Sequence, residues 1–180
     1  TINIRATANG TVTSLNTGGG DDVINVSSDA PANIGNLDGI NGTLNIDGEA
    51  GDNTLNVSDA GATVADPNVV ISDSSITGLA PAAINYTATG GTFGGGINIT
   101  AGTAGDGISI VSLRDDSVTK VMGNGGDDTI TVQGSVTAGH LEVRGDAGND
   151  IIDASAVPAG AELALIGGSG EDTLTGGEGS

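Results

Sequence analysis

GGSGEDTLT, residues 167–175, packs three glycines around one acidic pair and ends on an alternating Thr-Leu-Thr. Glycine loses more conformational freedom on folding than any other residue. A segment this rich in it therefore needs backbone conformations that other residues resist. The box returns upstream as GDAGNDIID (145–153), GNGGDDTIT (123–131) and AGTAGDGIS (101–109). Its aspartates, Asp106, Asp128, Asp150 and Asp172, stand 22 residues apart. Ile108, Ile130, Ile152 and Leu174 keep the same spacing two places on, and Ile99, Val121, Val143 and Leu165 keep it seven places before. Matching columns at one fixed period define an internal repeat.

The first half carries the box less regularly. TGGGDDVINV (17–26) places Asp22 in the aspartate slot, and GEAGDNTLNV (48–57) places Asn53 there, 31 residues later. The surplus falls in DAPANIGNLDGIN (29–41), a Pro/Gly/Asn-rich loop. A second excursion lies between Asn53 and Asp106.

After each box, apolar and polar residues alternate, as in Ile24-Asn25-Val26, Ile130-Thr131-Val132 and Leu141-Glu142-Val143. That is the period of a strand with one face inward. A unit of 22 residues with short strands and glycine turns cannot bury its inner face alone, but successive units stacked at ~4.8 Å can. The sequence thus predicts an all-β chain, a parallel β-solenoid of β-helix or β-roll type with ~22-residue coils. Residues 1–96 form irregular coils with loop inserts and 97–180 regular ones, in one continuous domain. The chain reads as an excerpt of a longer repeat protein.

Composition narrows the function. The net charge is −19, from 4 Lys+Arg against 23 Asp+Glu, which excludes the basic footprint of a nucleic-acid binder. No apolar run is long enough to insert into a membrane. There is no cysteine, hence no disulfide or thiolate-metal framework. One Tyr, one Phe and no Trp cannot build an aromatic sugar platform. His140 is the only histidine, so neither a Ser-His-Asp set nor a histidine metal centre has a basis. Arg114 with Asp115 and Asp116 reads as a loop salt bridge, and Lys120 and Arg144 as outer-face charges beside acids. Six Asn-x-Ser/Thr sequons, at Asn9, Asn25, Asn41, Asn56, Asn85 and Asn98, are potential glycan acceptors.

Stacked coils would line the aspartates up in a column, with repulsion of roughly 1–4 kcal/mol per neighbouring pair. Solvation, protonation or bridging cations would relieve it. A hard cation such as Ca²⁺ takes six to eight oxygens, carbonyls included, and glycine turns leave carbonyls open to it. The same turns also occur without metal, the carboxylate accepting backbone N–H groups.

GGSGEDTLT resembles in full the nonapeptide GGxGxDxUx of the RTX, or hemolysin-type, calcium-binding repeats, and Gly176-Gly177-Glu178-Gly179 begins another. GNGGDDTIT and GDAGNDIID match all but one glycine. The resemblance implies Ca²⁺ held between turns by Asp172, Asp150 and Asp128, with Asp106 and Asp22 as further ligands, and carbonyls lent by the turns of Gly170, Gly148 and Gly126. Asn53, uncharged, departs from the pattern. One box per 22 residues departs from the nine-residue half-turns of the family roll and puts calcium along one edge. Residues 78–110 look similar to repeats of very large secreted or surface proteins of bacteria, planctomycetes included.

These readings converge on a non-enzymatic structural module, a fibre, stalk or adhesin segment at the cell surface or outside the cell. Ca²⁺ would stiffen it, and self-association along the solenoid axis and cell-surface glycans are its expected partners. The alternatives are the calcium-binding C-terminal module of a secreted lipase, protease or epimerase, and a β-helix polysaccharide lyase. Charge and turn pattern together predict a chain largely disordered without calcium.

Overall fold

In a computed structural model, which describes residues 1–134, 136 and 140–177, the chain is all-β. Residues 137–139 and the box residues Glu178 and Gly179 lie outside the described residues. Among the described residues sixteen strands divide between two sheets. The first sheet holds β1 (Ile2–Ile4), β3 (Val23–Val26), β5 (Asp52–Ser58), β9 (Thr92–Thr100), β11 (Val118–Met122), β13 (His140–Ala147) and β15 (Glu162–Ser169), in that order. The second holds β2 (Val12–Asn16), β4 (Thr43–Asp47), β6 (Val69–Ile71), β7 (Ser75–Thr77), β8 (Ile84–Thr87), β10 (Gly107–Ile110), β12 (Thr129–Val132), β14 (Ile151–Asp153) and β16 (Thr173–Thr175). Its order is β16-β14-β12-β10-β6-β7-β8-β4-β2.

Outside the β6–β8 segment the chain alternates strand by strand between the sheets. From β9 onward the register is constant. Ile97, Thr119, Leu141 and Leu163 pair in parallel in the first sheet, and Ile108, Ile130, Ile152 and Leu174 in the second. Inward side chains of both sheets meet in one core that runs from Ile24 to Val157. Its largest fully buried side chain is Phe93, with the Tyr86 ring edge-on at 5.9 Å.

The single parallel solenoid of ~22-residue coils expected from the repeat is corrected by the second sheet. That sheet is mixed: β6 pairs antiparallel with β7, and β7 antiparallel with β8. The cause is the length of the connections. Three residues, Ser72–Ser74, separate β6 from β7, whereas a parallel pair needs a crossover of a dozen or more. The inserted β7 and β8 stand between β6 and β4 and widen the pairings Ile46 with Tyr86 and Leu55 with Ile97, whereas the 29–41 loop widens Leu15 with Ile46, and Ile2 with Ile24 keeps the regular spacing.

Phe93 ties this insertion to the regular half. The Arg114 guanidinium lies 5.5 Å from its ring centroid and forms a two-pronged pair with Asp116 at 2.7 and 2.8 Å. Phe93→Ala is expected to cost about 3–5 kcal/mol in chemical denaturation, the usual loss for a fully buried aromatic. A loss below about 1 kcal/mol would contradict this placement.

Candidate metal centre

The boxes fold into one local turn, whatever their side chains. Counting from the aspartate slot, the residue four before has positive φ: Gly18, Glu49, Asn124, Asp146 and Gly168. The residue two before is a glycine with positive φ: Gly20, Gly51, Gly126, Gly148 and Gly170. Glycine is required there for a second reason. A Cβ on Gly148 would run into the Gly126 carbonyl oxygen of the turn stacked on it, and one on Gly170 into the Gly148 carbonyl oxygen. Five before the slot, a Cβ on Gly123, Gly145 or Gly167 would run into the box's own aspartate side chain. Asp106 sits in a variant turn, with Ala101 and Ala104 at those two glycine positions.

Two hydrogen-bond ladders run through the stacked turns. In the aspartate slot each main-chain N–H donates to the side chain one turn later. Asp106 N–H donates to Asp128 Oδ1 at 2.7 Å, Asp128 N–H to Asp150 Oδ1 at 2.9 Å and Asp150 N–H to Asp172 Oδ1 at 3.1 Å. One residue earlier the direction reverses: Asn149 N–H donates back to Asp127 Oδ1 at 2.8 Å and Glu171 N–H to Asn149 Oδ1 at 2.9 Å. This reciprocal pairing explains why the box carries two acidic or amide residues in succession.

The same turn occurs at both edges of the two-sheet stack. Asp22 and Asn53 lie where the chain passes from the second sheet to the first, while Asp106, Asp128, Asp150 and Asp172 lie where it passes from first to second. Asp22 therefore stands apart from the other four. It donates its N–H to Asn53 Oδ1 at 3.0 Å, and its carboxylate lies 3.9 Å from the Thr1 amino group.

The aspartates differ in what their second oxygen meets. Asp106 is satisfied: Oδ1 accepts from Asp66 N–H at 2.6 Å and Oδ2 from Gly102 N–H at 3.0 Å. Asp128 and Asp150 are 1% and 0% exposed, and the Oδ2 of each is buried with no partner. Burial pushes the Asp128 carboxyl up to about 7, against the donated Asp106 N–H, with the neighbouring acids adding to the rise. Burial raises Asp150 as well. Asp172 is half-buried.

Asn53 shows what such a slot asks for. Its Oδ1 accepts the neighbouring N–H as the aspartates do, while its Nδ2 donates to the carbonyls of Gly48 at 2.9 Å and Thr92 at 3.2 Å. Where Asn53 offers N–H to carbonyl oxygens, Asp128 and Asp150 carry a second oxygen. Two acceptors facing each other in a buried site need a proton or a cation between them. Among the described residues no three His, Cys, Asp or Glu side chains converge on one metal position. A cation here would be held by Oδ2 of Asp128 or Asp150 together with main-chain carbonyls. The Gly145 carbonyl oxygen and Asp128 Oδ2 border the same space over Gly123. An all-oxygen set of this kind suits a hard divalent cation, so the residues fit Ca²⁺ at these two turns and do not fit it at Asp106.

The other charged residues singled out in the sequence lie elsewhere. His140 Nδ1 is 3.0 Å from Glu162 Oε2 on the outer face of the first sheet. Lys120 and Arg144 both pair with Glu142, at 3.6 and 3.3 Å. A groove of about 480 Å³ beside Arg114 is lined by Asp73, Ser74, Tyr86, Thr87, Asp115 and Asp116. Its one cation is already paired with Asp116.

Sequence reasoning missed the asparagine ladder. Asn25 Nδ2 donates to Asn3 Oδ1 at 3.0 Å, Asn56 Nδ2 to Asn25 Oδ1 at 2.9 Å and Asn98 Nδ2 to Asn56 Oδ1 at 2.8 Å. Its signal is the recurrent apolar-Asn-apolar triplet of Ile2-Asn3-Ile4, Ile24-Asn25-Val26, Leu55-Asn56-Val57 and Ile97-Asn98-Ile99. Three of the six sequon asparagines are rungs of this ladder. Comparison with family models, curated proteins and solved structures finds no match to this chain.

Two outcomes test the geometry. Gly148→Ala forces an L residue to φ near +142° against a carbonyl oxygen and is expected to destabilise by at least about 1–3 kcal/mol. Gly19→Ala, in open space without positive φ, should change stability by less than about 0.5 kcal/mol. The second concerns Asp59, 3% exposed, whose Oδ1 accepts Leu37 N–H at 2.5 Å. Burial above all, opposed by the Leu37 N–H and reinforced by Asp66 and Asp38, raises it from 3.8 to about 7. The folded state keeps a proton there that the unfolded chain releases between those values. Its contribution to stability falls as pH rises through that window and is level above it. Urea denaturation across the window should show a shallower fall for Asp59→Asn than for the parent, and parallel curves would contradict the assignment.

Proposed function

We propose that this chain is a structural module of an extracellular or cell-surface repeat protein, a fibre, stalk or adhesin segment stiffened by Ca²⁺ at the turns of Asp128 and Asp150. The observation that carries the reading is the pair of buried, unpartnered Oδ2 atoms in turns that offer carbonyl oxygens. Bound there, the cation supplies the positive charge that a column of buried carboxylates lacks. Asp128 and Asp150 would hold it through Oδ2 while their Oδ1 atoms keep the turns stacked.

The architecture supports a mechanical role. Stacked turns and two continuous sheets make a stiff body, and the outer faces carry asparagine ladders and ion pairs. β1 and β2 at one end, and β15 and β16 at the other, are each paired on one side only. Strands of that kind accept further β-structure, which favours self-association along the stack. A net charge of −19 favours a setting rich in cations.

Thermal melting followed by far-UV circular dichroism tests the reading. Ca²⁺ at roughly a hundredfold excess over its Kd should stabilise the fold by about 2.7 kcal/mol, seen as a rise in Tm that a chelator reverses. An identical Tm with calcium and with chelator removes the cation from the account.

A further inference from the structure

We infer that cation dependence is confined to the part of the stack from β11 onward, and that side-chain amides lock the part from β1 to β9 without any cation. The inference rests on the calcium reading above and adds where along the molecule it acts.

The first support is the contrast between Asn53 and its aspartate counterparts. Carboxylate and carboxamide have nearly the same shape, but the amide donates where the carboxylate can only accept. Asn53 therefore closes its turn by itself, through Nδ2 to the Gly48 and Thr92 carbonyls. Asp128 and Asp150 leave the equivalent atom unpartnered at 1% and 0% exposure.

The second support lies on the outer face of the first sheet. The column Asn3, Asn25, Asn56 and Asn98 is joined by amide hydrogen bonds. In register with Asn98, the same column continues as Lys120 and Glu142, which form an ion pair at 3.6 Å. The second sheet repeats the amide device between β4 and β8, where Asn85 Nδ2 donates to Asn45 Oδ1 at 2.8 Å. Amide locking gives way to charge at the passage from β9 to β11.

The third support is what happens to acids in the amide-locked part. Asp59 Oδ1 accepts Leu37 N–H, and Asp106, which follows β9, has both oxygens satisfied. Among the described residues no buried carboxylate oxygen before Asp128 lacks a partner.

Hydrogen exchange read by mass spectrometry on the intact chain, in Ca²⁺ and in chelator, tests the inference. The ladder amides are the reporters: Asp22 in the first part, Asp128 and Asp150 in the second. Chelation should speed exchange by about tenfold or more in peptides covering 123–153 and leave those covering 20–58 unchanged. Equal acceleration in both regions overturns the partition while leaving calcium binding intact. No change in either overturns the calcium reading and this inference with it. D128N/D150N should show, in chelator, the protection of the calcium-loaded parent, and a variant that still loses protection on chelation overturns the amide argument. N53D should extend calcium dependence to 20–58, and unaltered protection there in chelator overturns it as well. Where a variant fails to fold, the regional comparison in the parent chain decides.

Discussion

The stacked turns that carry an Asp or Asn in the slot depend on one contact: a main-chain N–H handed to a side-chain oxygen in the turn that follows. Asp22 gives its N–H to Asn53, Leu37 to Asp59, Asp66 to Asp106, Asp106 to Asp128, Asp128 to Asp150 and Asp150 to Asp172. The turns interrupt the sheets, so their amides have no strand partner. A buried amide left unpaired costs about 1–3 kcal/mol. A short Asp or Asn side chain is the right length to reach the turn beneath without displacing it. The glycines follow from the same closeness, since a Cβ on Gly148 or Gly170 would occupy the carbonyl of the neighbouring turn.

The contact constrains which residue stands in the slot but leaves open the chemistry of its second atom. Asn53 fills that place with a donor, and Asp106 fills it with an acceptor met by Gly102 N–H. Asp128 and Asp150 present an acceptor to a site with no donor. The turns of Asn53, Asp128 and Asp150 share one pattern of positive φ, and Asp106 sits in a variant of it. The charge of the column, and hence its response to the solution around it, can differ from turn to turn with no change of fold.

Much of this was legible in the sequence, and the losses have physical causes. The alternation around Ile130 and Val143, the 22-residue register and the need for glycine at 126, 148 and 170 are local or periodic properties. The edge on which a box sits is neither. The turn of Asp22 and that of Asp128 have the same pattern of positive φ, yet one leads into the first sheet and the other into the second. The antiparallel segment was hidden because β6, β7 and β8 are strands of three or four residues among Pro- and Gly-containing loops, where period says little. The asparagines of the amide ladder carry a sequon pattern, so their meaning emerged only when the sheet set Asn25, Asn56 and Asn98 one above another.

A module of the proposed kind gains from mixing the two kinds of turn. A stack closed by amides throughout would hold its shape in any medium and would already be folded wherever it was made. A stack closed by carboxylates throughout would carry a buried charge at every level, and with a net charge of −19 it would resist compaction until cations arrived. Amides in the part built around the β6–β8 insertion let the irregular strands settle into one register. On the proposed reading, carboxylates in the regular part then make stiffness conditional on the surroundings. The regular part can afford that condition because its parallel strands repeat one register from β9 to β15 and from β10 to β16, so each turn is laid on a template that the previous one has formed.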